Sequence, residues 1–287
     1  MLQEHIYKAW RSRKVLSLIS FDVKGAYNGV CKERFLQRLE AQGIPPTIIR
    51  WIDAFCSERT ATILVNGYTS PQQQLPQAGL PQGSPLSPIL FLFFNADLVQ
   101  QRINNKGGSL AFVDDYTAWV TGPSAEANYS GIQQIVDKAV QWERRSGATF
   151  ESTKTVLVHF TRTASRSSNV PITVKGKAIT PISEAKILGV IMDSELQYRS
   201  HIAKTATKSL KAALALKWLK MLSPPSARQL FNATVAPVMD YASNVWMHAF
   251  NRTARTALNR AQKIGAQAIT GGFHTVSLAI AEAEAYI

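Results

Sequence analysis

The sequence predicts an α+β fold: an antiparallel sheet with helices packed on one face, followed by an all-helical region. Three observations predict it. Short apolar or alternating runs bounded by turn residues recur through the first two thirds of the chain, with helically spaced stretches between them. From about residue 197 the strand-like runs stop and helical spacing continues. The charge also changes there. Residues 196–287 hold eleven Lys/Arg and three acids, against twenty-one and sixteen in residues 1–195. The expected division is therefore 1–195 and 196–287.

Taken in order, residues 1–14 have helical spacing, and Val15–Phe21 runs apolar like a core strand, with Asp22 at its end. A Gly-punctuated turn, 23–30, leads to a helix over 32–42, which Gly43 stops. A second helix covers 47–57. Thr60–Val65 alternates like a strand, Asn66-Gly67 is a strong hairpin signal, and 68–75 is the expected partner strand. Four prolines and two glycines in residues 75–88 fix an extended loop that cannot be helical until about Ser84; a helix then runs to about Asn104. Apolar runs on either side of Asp114-Asp115 predict a hairpin. Ser124 caps a helix to 146, which Gly147 stops. Val156–Phe160, 170–174, 177–182 and Ile187–Met192 read as strands, separated in part by a polar loop at 161–169. Helices follow at 198–221, 226–248 (interrupted near Pro237) and 252–270.

Composition narrows the function classes. A chain of 287 residues that is 46% hydrophobic can bury a real core and is no disordered tail. The formal net charge of +13 favours a polyanionic partner, nucleic acid before an anionic membrane surface. The longest apolar run, Ile89–Phe94, is far too short to span a bilayer, and Met1–His5 does not open like a signal peptide. Cys31 and Cys56 form no CxxC pair, and the five histidines show no zinc spacing. Reduced thiols in an intracellular protein are the expectation.

The chemistry concentrates on carboxylates. Asp114 and Asp115 are adjacent charges between two apolar runs, where each disfavours ionisation of the other unless something positive pairs with them. An Asp-Asp turn is ordinary in itself. If the Asp22 strand neighbours the Asp114-Asp115 hairpin, three carboxylates converge at one sheet edge. Such a set suits hard divalent cations, Mg²⁺ or Mn²⁺ in its place. Two such ions about 3.5–4 Å apart serve in-line phosphoryl displacement. A basic protein with an acidic metal centre on a sheet is what a nucleic acid polymerase requires. The 75–88 loop adds Gly79 and Gly83, which permit close backbone approach, and Gln82, which offers both donor and acceptor.

At this point the residues resemble a known family. Phe21-Asp22-Val23-Lys24-Gly25-Ala26-Tyr27 resembles motif A of reverse transcriptases. Gly79-Leu80-Pro81-Gln82-Gly83-Ser84-Pro85-Leu86-Ser87-Pro88-Ile89-Leu90-Phe91 is similar to motif B, and Phe112-Val113-Asp114-Asp115 to motif C. Order and spacing match those of non-LTR (LINE-like) retrotransposons, especially of filamentous fungi. Similarity continues at Gly147 to Lys154-Thr155 and at Ile187-Leu188-Gly189-Val190, and covers most of residues 12–195. Tyr241-Ala242-Ser243-Asn244-Val245-Trp246 resembles the region that follows in these elements.

The resemblance implies an RRM-like polymerase palm followed by a basic helical thumb or connector. It implies an RNA-directed DNA polymerase that uses two Mg²⁺ ions, an RNA template, a DNA primer and dNTPs. Asp22 and Asp114 would hold the metals, with Asp115 beside the primer end. Tyr27 would pack under the incoming sugar and reject a 2′-hydroxyl. Gln82 and Gly83 would touch nucleotide and template, Lys154 the pyrophosphate, and Leu188-Gly189 the primer backbone. A nuclear site of action is implied by the family alone.

The sequence departs from the family at Asn28, where many relatives carry an acid, and at Val113. Upstream finger strands are expected to be truncated, since no such segment fits in residues 1–14, and neither an endonuclease before the domain nor an RNase H after it is expected within these residues. The alternative function is a catalytically inactive relic that retains nucleic-acid binding. A palm-type cyclase is disfavoured by the basic tail, and an RNA polymerase by Tyr27.

Overall fold

Helix α1 (Leu2–Arg11) leads into β1 (Val15–Asp22), the strand around which the first half of the molecule is built. The computed structural model describes residues 2–75, 78–103, 107–219 and 222–287. It divides into two compact units, Met1–Ser183 and Glu184–Ile287. In the first unit, α2 (Lys32–Ala41) and α3 (Pro46–Cys56) follow β1. The short strands β2 (Thr60–Ala61), β3 (Leu64–Val65), β4 (Tyr68–Thr69) and β5 (Gln73–Gln74) come next, then α4 (Leu86–Val99). The unit closes with β6 (Gly108–Phe112), β7 (Asp115–Gly122), α5 (Tyr129–Ser146), β8 (Val156–Phe160), β9 (Ile172–Val174) and β10 (Lys177–Ile179).

The main sheet is antiparallel in the order β6-β7-β1-β8. Residues 15–21 carry no charge because β1 is covered on both faces; Val15, Leu16, Leu18, Ile19 and Phe21 are all buried. Its register with β7 pairs Ile19 with Ala118, Phe21 with Tyr116 and Asp22 with Asp115. Ile19, Phe21, Tyr116, Ala118 and Val120 join one core with Phe35 of α2, Phe91 and Phe94 of α4, and Trp142 of α5. Helix α1 also packs against β1, and its His5 ring lies 5.2 Å from that of Trp119.

A buried polar knot lies under the sheet. Asn128 donates through Nδ2 to the Ser17 hydroxyl (2.8 Å) and the Val15 carbonyl (3.0 Å), and Ser17 Oγ lies 2.9 Å from His159 Nδ1. Since Ser17 accepts from Asn128, its own proton can go to His159, whose ring then stays neutral. Burial pushes the His159 pKa down to about 4.

Several boundaries differ from expectation. The 60–75 hairpin is interrupted. Thr60 pairs with Gln74 but Leu64 with Thr69, so the second strand carries one extra residue. Pro71, which has no N–H to give, lies in that bulge. Asn66 and Gly67 make the tip with left-handed backbones, φ 49° and 82°. Helix α4 stops at Val99, where Ser109 Oγ donates to the Val99 carbonyl. The expected end near Asn104 lies outside the described residues, as do Pro76 and Gln77 of the loop and the expected helix end at 221. Helix α5 starts at Tyr129 and not at 124. Ser124 instead forms a preceding turn, its hydroxyl accepting from the Ala127 N–H.

The second unit opens with β11 (Glu184–Ile187) and β12 (Val190–Asp193). The single strand expected over Ile187–Met192 is a hairpin, because Leu188 (φ 44°) and Gly189 (φ 86°) both take left-handed conformations and Ile187 pairs with Val190. This hairpin belongs with the helices, since β12 packs on α6 (Arg199–Trp218). The units therefore divide twelve residues before the expected change at 195/196. Then come α7 (Pro224–Thr234), α8 (Ala236–Asp240), α9 (Ser243–Trp246), α10 (Arg252–Thr270) and α11 (Leu278–Ala285). Pro237 sits in the first turn of α8, so the break near it has the expected cause. Helix α11 was not expected; its alanine-rich sequence has little amphipathic contrast, and only the Ser277 cap marks its start. Among the described residues, no helix is long and apolar enough to cross a membrane.

Candidate active site

Asp22 ends β1 and Asp115 begins β7, and the two are directly paired across the strands. Paired residues of an antiparallel ladder share a face, so these carboxylates stand on one side of one sheet end. Asp114 occupies the two-residue turn between β6 and β7, next to left-handed Val113 (φ 54°). Two contacts fix that turn. The Val23 N–H donates to the Asp114 carbonyl at 3.0 Å, and Asn95 Nδ2 of α4 donates to the Val113 carbonyl at 2.8 Å. The structure therefore gathers Asp22, Asp114 and Asp115 at one end of the two central strands.

Lys154 joins them from the loop after α5. Its Nζ donates to Asp22 Oδ2 at 2.8 Å, and this carboxylate holds the Lys154 pKa above its usual value. The loop is anchored by the backbone: the Lys24 N–H donates to Thr149, Glu151 N–H to the Asp22 carbonyl, and Lys154 N–H to Glu151. Behind the carboxylates, Tyr116 stacks on Phe21 with centroids 6.0 Å apart, and burial raises its phenol to about 12. It is neutral at any working pH.

The residues fit a hard divalent cation. Carboxylate oxygens from two strands and a turn are the donor chemistry such an ion takes, and Lys154 already sets a positive charge on Asp22. Among the described residues no three His, Cys, Asp or Glu groups are drawn into a ready-made cage. Magnesium, which keeps several waters, is usually bound by one or two carboxylates.

Tyr27 lies in the turn after β1, its ring 5.5 Å from Phe91 in an edge-on contact. Its carbonyl accepts from the Leu80 N–H at 2.9 Å. Gly79 comes so close that a Cβ there would stand 2.2 Å from the Tyr27 carbonyl oxygen, and its φ of 57° is left-handed. Arg59 holds the same loop from outside, donating to the Gly79 carbonyl at 2.9 Å. Ser87 Oγ donates to Pro81 at 2.6 Å. Gln82 and Gly83 are exposed just before α4, with Gly83 at φ 88°.

Leu188 and Gly189 belong to the second unit. Their turn is braced by Tyr241, whose hydroxyl donates to the Leu188 carbonyl at 2.9 Å and whose ring leaves no room for a Cβ on Gly189. The Trp246 indole N–H in turn donates to the Tyr241 carbonyl. Sequence reading missed Asn95 and Arg59. Asn95 had a signal, a lone amide inside the apolar run of α4; Arg59 had none. Cys31 and Cys56 are both free thiols.

Residues 2–192 match the family described as reverse transcriptase (RNA-dependent DNA polymerase). The chain is 24% identical over 91% of its length to a probable RNA-directed DNA polymerase from transposon BS of Drosophila melanogaster, spanning 29% of that protein. It is 26% identical over 86% of its length to the RNA-directed DNA polymerase from mobile element jockey of the same fly, spanning 27% of it. The chain thus covers less than a third of these relatives. Among solved structures, apo telomerase from Candida tropicalis aligns with a TM-score of 0.49 at 13% identity, over 99% of this chain and 46% of that one.

Proposed function

The chain belongs to the reverse transcriptase (RNA-dependent DNA polymerase) family and is similar to its transposon-borne members; from that premise we propose that it is the polymerase domain of a non-LTR retrotransposon protein. In this reading it adds dNTPs to a DNA primer 3′ end on an RNA template, acting in the nucleus. The element itself is read as fungal in kind, on the wording of the motifs around Gly79–Phe91 and Asp114-Asp115. The observation that carries the activity is the β1–β7 register, which sets Asp22 opposite Asp115 with Asp114 in the adjoining turn.

Asp22 and Asp114 would hold two Mg²⁺ ions, or Mn²⁺, with Asp115 as their neighbour. Bound there, the ions supply charge stabilisation for the attacking and leaving oxygens. The chain's own residues do the rest. Tyr27, held by Phe91 and by the Gly79-Leu80 backbone, packs under the sugar and leaves no space for a 2′-hydroxyl. Gln82 and Gly83 face nucleotide and template. Lys154, protonated and already pairing with Asp22, can hold a proton for the departing pyrophosphate. The Leu188-Gly189 turn, braced by Tyr241, grips the primer.

Primer extension with dNTPs and Mg²⁺ on an RNA template tests this. Asp114→Asn should cut extension by about a thousandfold, the scale of a lost electrostatic group in a phosphoryl-transfer site. Extension untouched by that change overturns the chemistry. No extension by the native chain, with salt-sensitive binding to nucleic acid retained, would leave the inactive relic. Tyr27→Ala should raise ribonucleotide incorporation relative to deoxynucleotide.

A further inference from the structure

The other end of β1 carries the opposite charge. A cavity of about 710 Å³ opens there, lined by Arg11, Arg13, Lys14, Arg162 and Arg166 together with two aromatic rings and two threonines. Five of these side chains are cations and none is acidic. Among the described residues none of the five forms an ion pair. Like charges crowded without a counter-charge repel one another, so the arrangement favours an anion between them.

The fold holds them in place. β8 runs antiparallel to β1, so the segment after Phe160 returns beside the segment before Val15. Arg166 Nη1 donates to the Arg13 carbonyl, and Arg13 itself is left-handed (φ 54°). The Arg162 guanidinium stacks 4.4 Å over the Trp10 ring, whose indole N–H donates to the Phe160 carbonyl at 3.1 Å. The Thr161 and Thr163 pair is locked by the Thr163 N–H donating to the Thr161 hydroxyl.

We propose that this pocket is a second nucleic-acid site, which takes the sugar-phosphate backbone of a single strand at the end of the sheet away from Asp22, Asp114 and Asp115. Eight strand residues at about 3.3 Å each separate the two ends by roughly 25 Å, so one nucleotide cannot occupy both. A free triphosphate shares the phosphate chemistry. The strand is favoured because the positive charge is spread across the pocket on side chains, with two aromatic rings beside it, as in sites that track a backbone. No helix N-terminus concentrates it, since α1 ends here with its C-terminus, and the Ala9 and Trp10 carbonyls already accept from the Lys14 and Arg13 N–H groups.

The test is fluorescence anisotropy of a labelled 12-nucleotide RNA with the full chain across a salt series. Arg11→Gln/Arg13→Gln is compared with Arg144→Gln/Lys177→Gln, which removes equal charge from other exposed positions. The pocket variant should bind about tenfold more weakly, with a salt slope lower by roughly 1.4 for two lost phosphate contacts. The control should change little. Arg162→Gln is the second variant should the double one melt early. Crosslinking of 4-thiouridine RNA should mark peptides within residues 1–14 or 160–169, and should persist in Asp114→Asn. Losses equal to the control, or no crosslink in those peptides, overturn the site. Suppression of the crosslink by dATP as well as by RNA would assign the pocket to free nucleotides and overturn the strand.

Discussion

The two compact units are held together in opposite ways. The core of the sheet unit is made of large interlocking rings. Phe94 alone contacts Phe35, Phe91 and Trp142, with Arg38 stacked on it and donating to its carbonyl at 2.7 Å. The cluster where α6, α7, α10 and α11 of the helical unit meet is made largely of small residues, five of its nine buried members among the described residues being alanine. There α6 and α10 pack closely, and Gly265 lets Phe231 lie directly on the α10 backbone. Large side chains stabilise by the area they fill; small ones stabilise by letting backbones approach. The first unit should therefore be most sensitive to deletion of atoms and the second to their addition.

Phe94→Ala should give the largest loss of stability, about 3–5 kcal/mol in urea unfolding. A loss under about 1 kcal/mol would mean the ring cluster does not carry the sheet unit. His159 should come next. Its folded pKa, about 4, lies below the ordinary 6.5 of an unfolded chain. Between those values the unfolded state binds more protons, so stability is full above about pH 6.5 and falls as the pH drops towards 4. The loss is about 3 kcal/mol in total. His159→Gln should flatten that stretch of the pH profile for the sheet unit. Gly265→Ala should cost the helical unit about 1–3 kcal/mol, because a Cβ would meet Phe231 at 2.2 Å. Pairing it with Phe231→Leu should recover part of the loss.

The smallest stability effect belongs to Asn95→Leu, within about 1 kcal/mol. The change gives up the bond to Val113, but also removes a buried Asn95 Oδ1 that has no hydrogen-bond partner among the described residues. Primer extension should nevertheless fall severalfold, since the Asp114 turn loses its brace. Unchanged extension would assign Asn95 to the core alone.

The sheet unit was the more legible for the same reason. Strand β1, the Asp114 turn and the Gly79 loop announce themselves through apolar runs broken by charge, glycine or proline. Such punctuation also carried the expectation that Asp22 meets the Asp-Asp hairpin. Partners far apart in sequence could not be read. Nothing near Arg59 says that it will clasp Gly79, and nothing in Ile187–Met192 except Gly189 warns of a hairpin. The helical unit gave its long helices through periodicity, but α11 blurred into an alanine-rich background. The basic pocket escaped notice because its cations come from two segments about 150 residues apart, each unremarkable alone.

The closeness of Gly79 to Tyr27 has a consequence for how this chain can change over generations. The residue that would judge the sugar and the loop that follows fifty residues later share one backbone contact with no slack. A side chain gained at position 79 is blocked until the 27–28 turn has already moved, and moving that turn shifts Tyr27. Altered nucleotide preference and altered loop sequence are thus open to the lineage only as a joint step, with an order imposed on the substitutions.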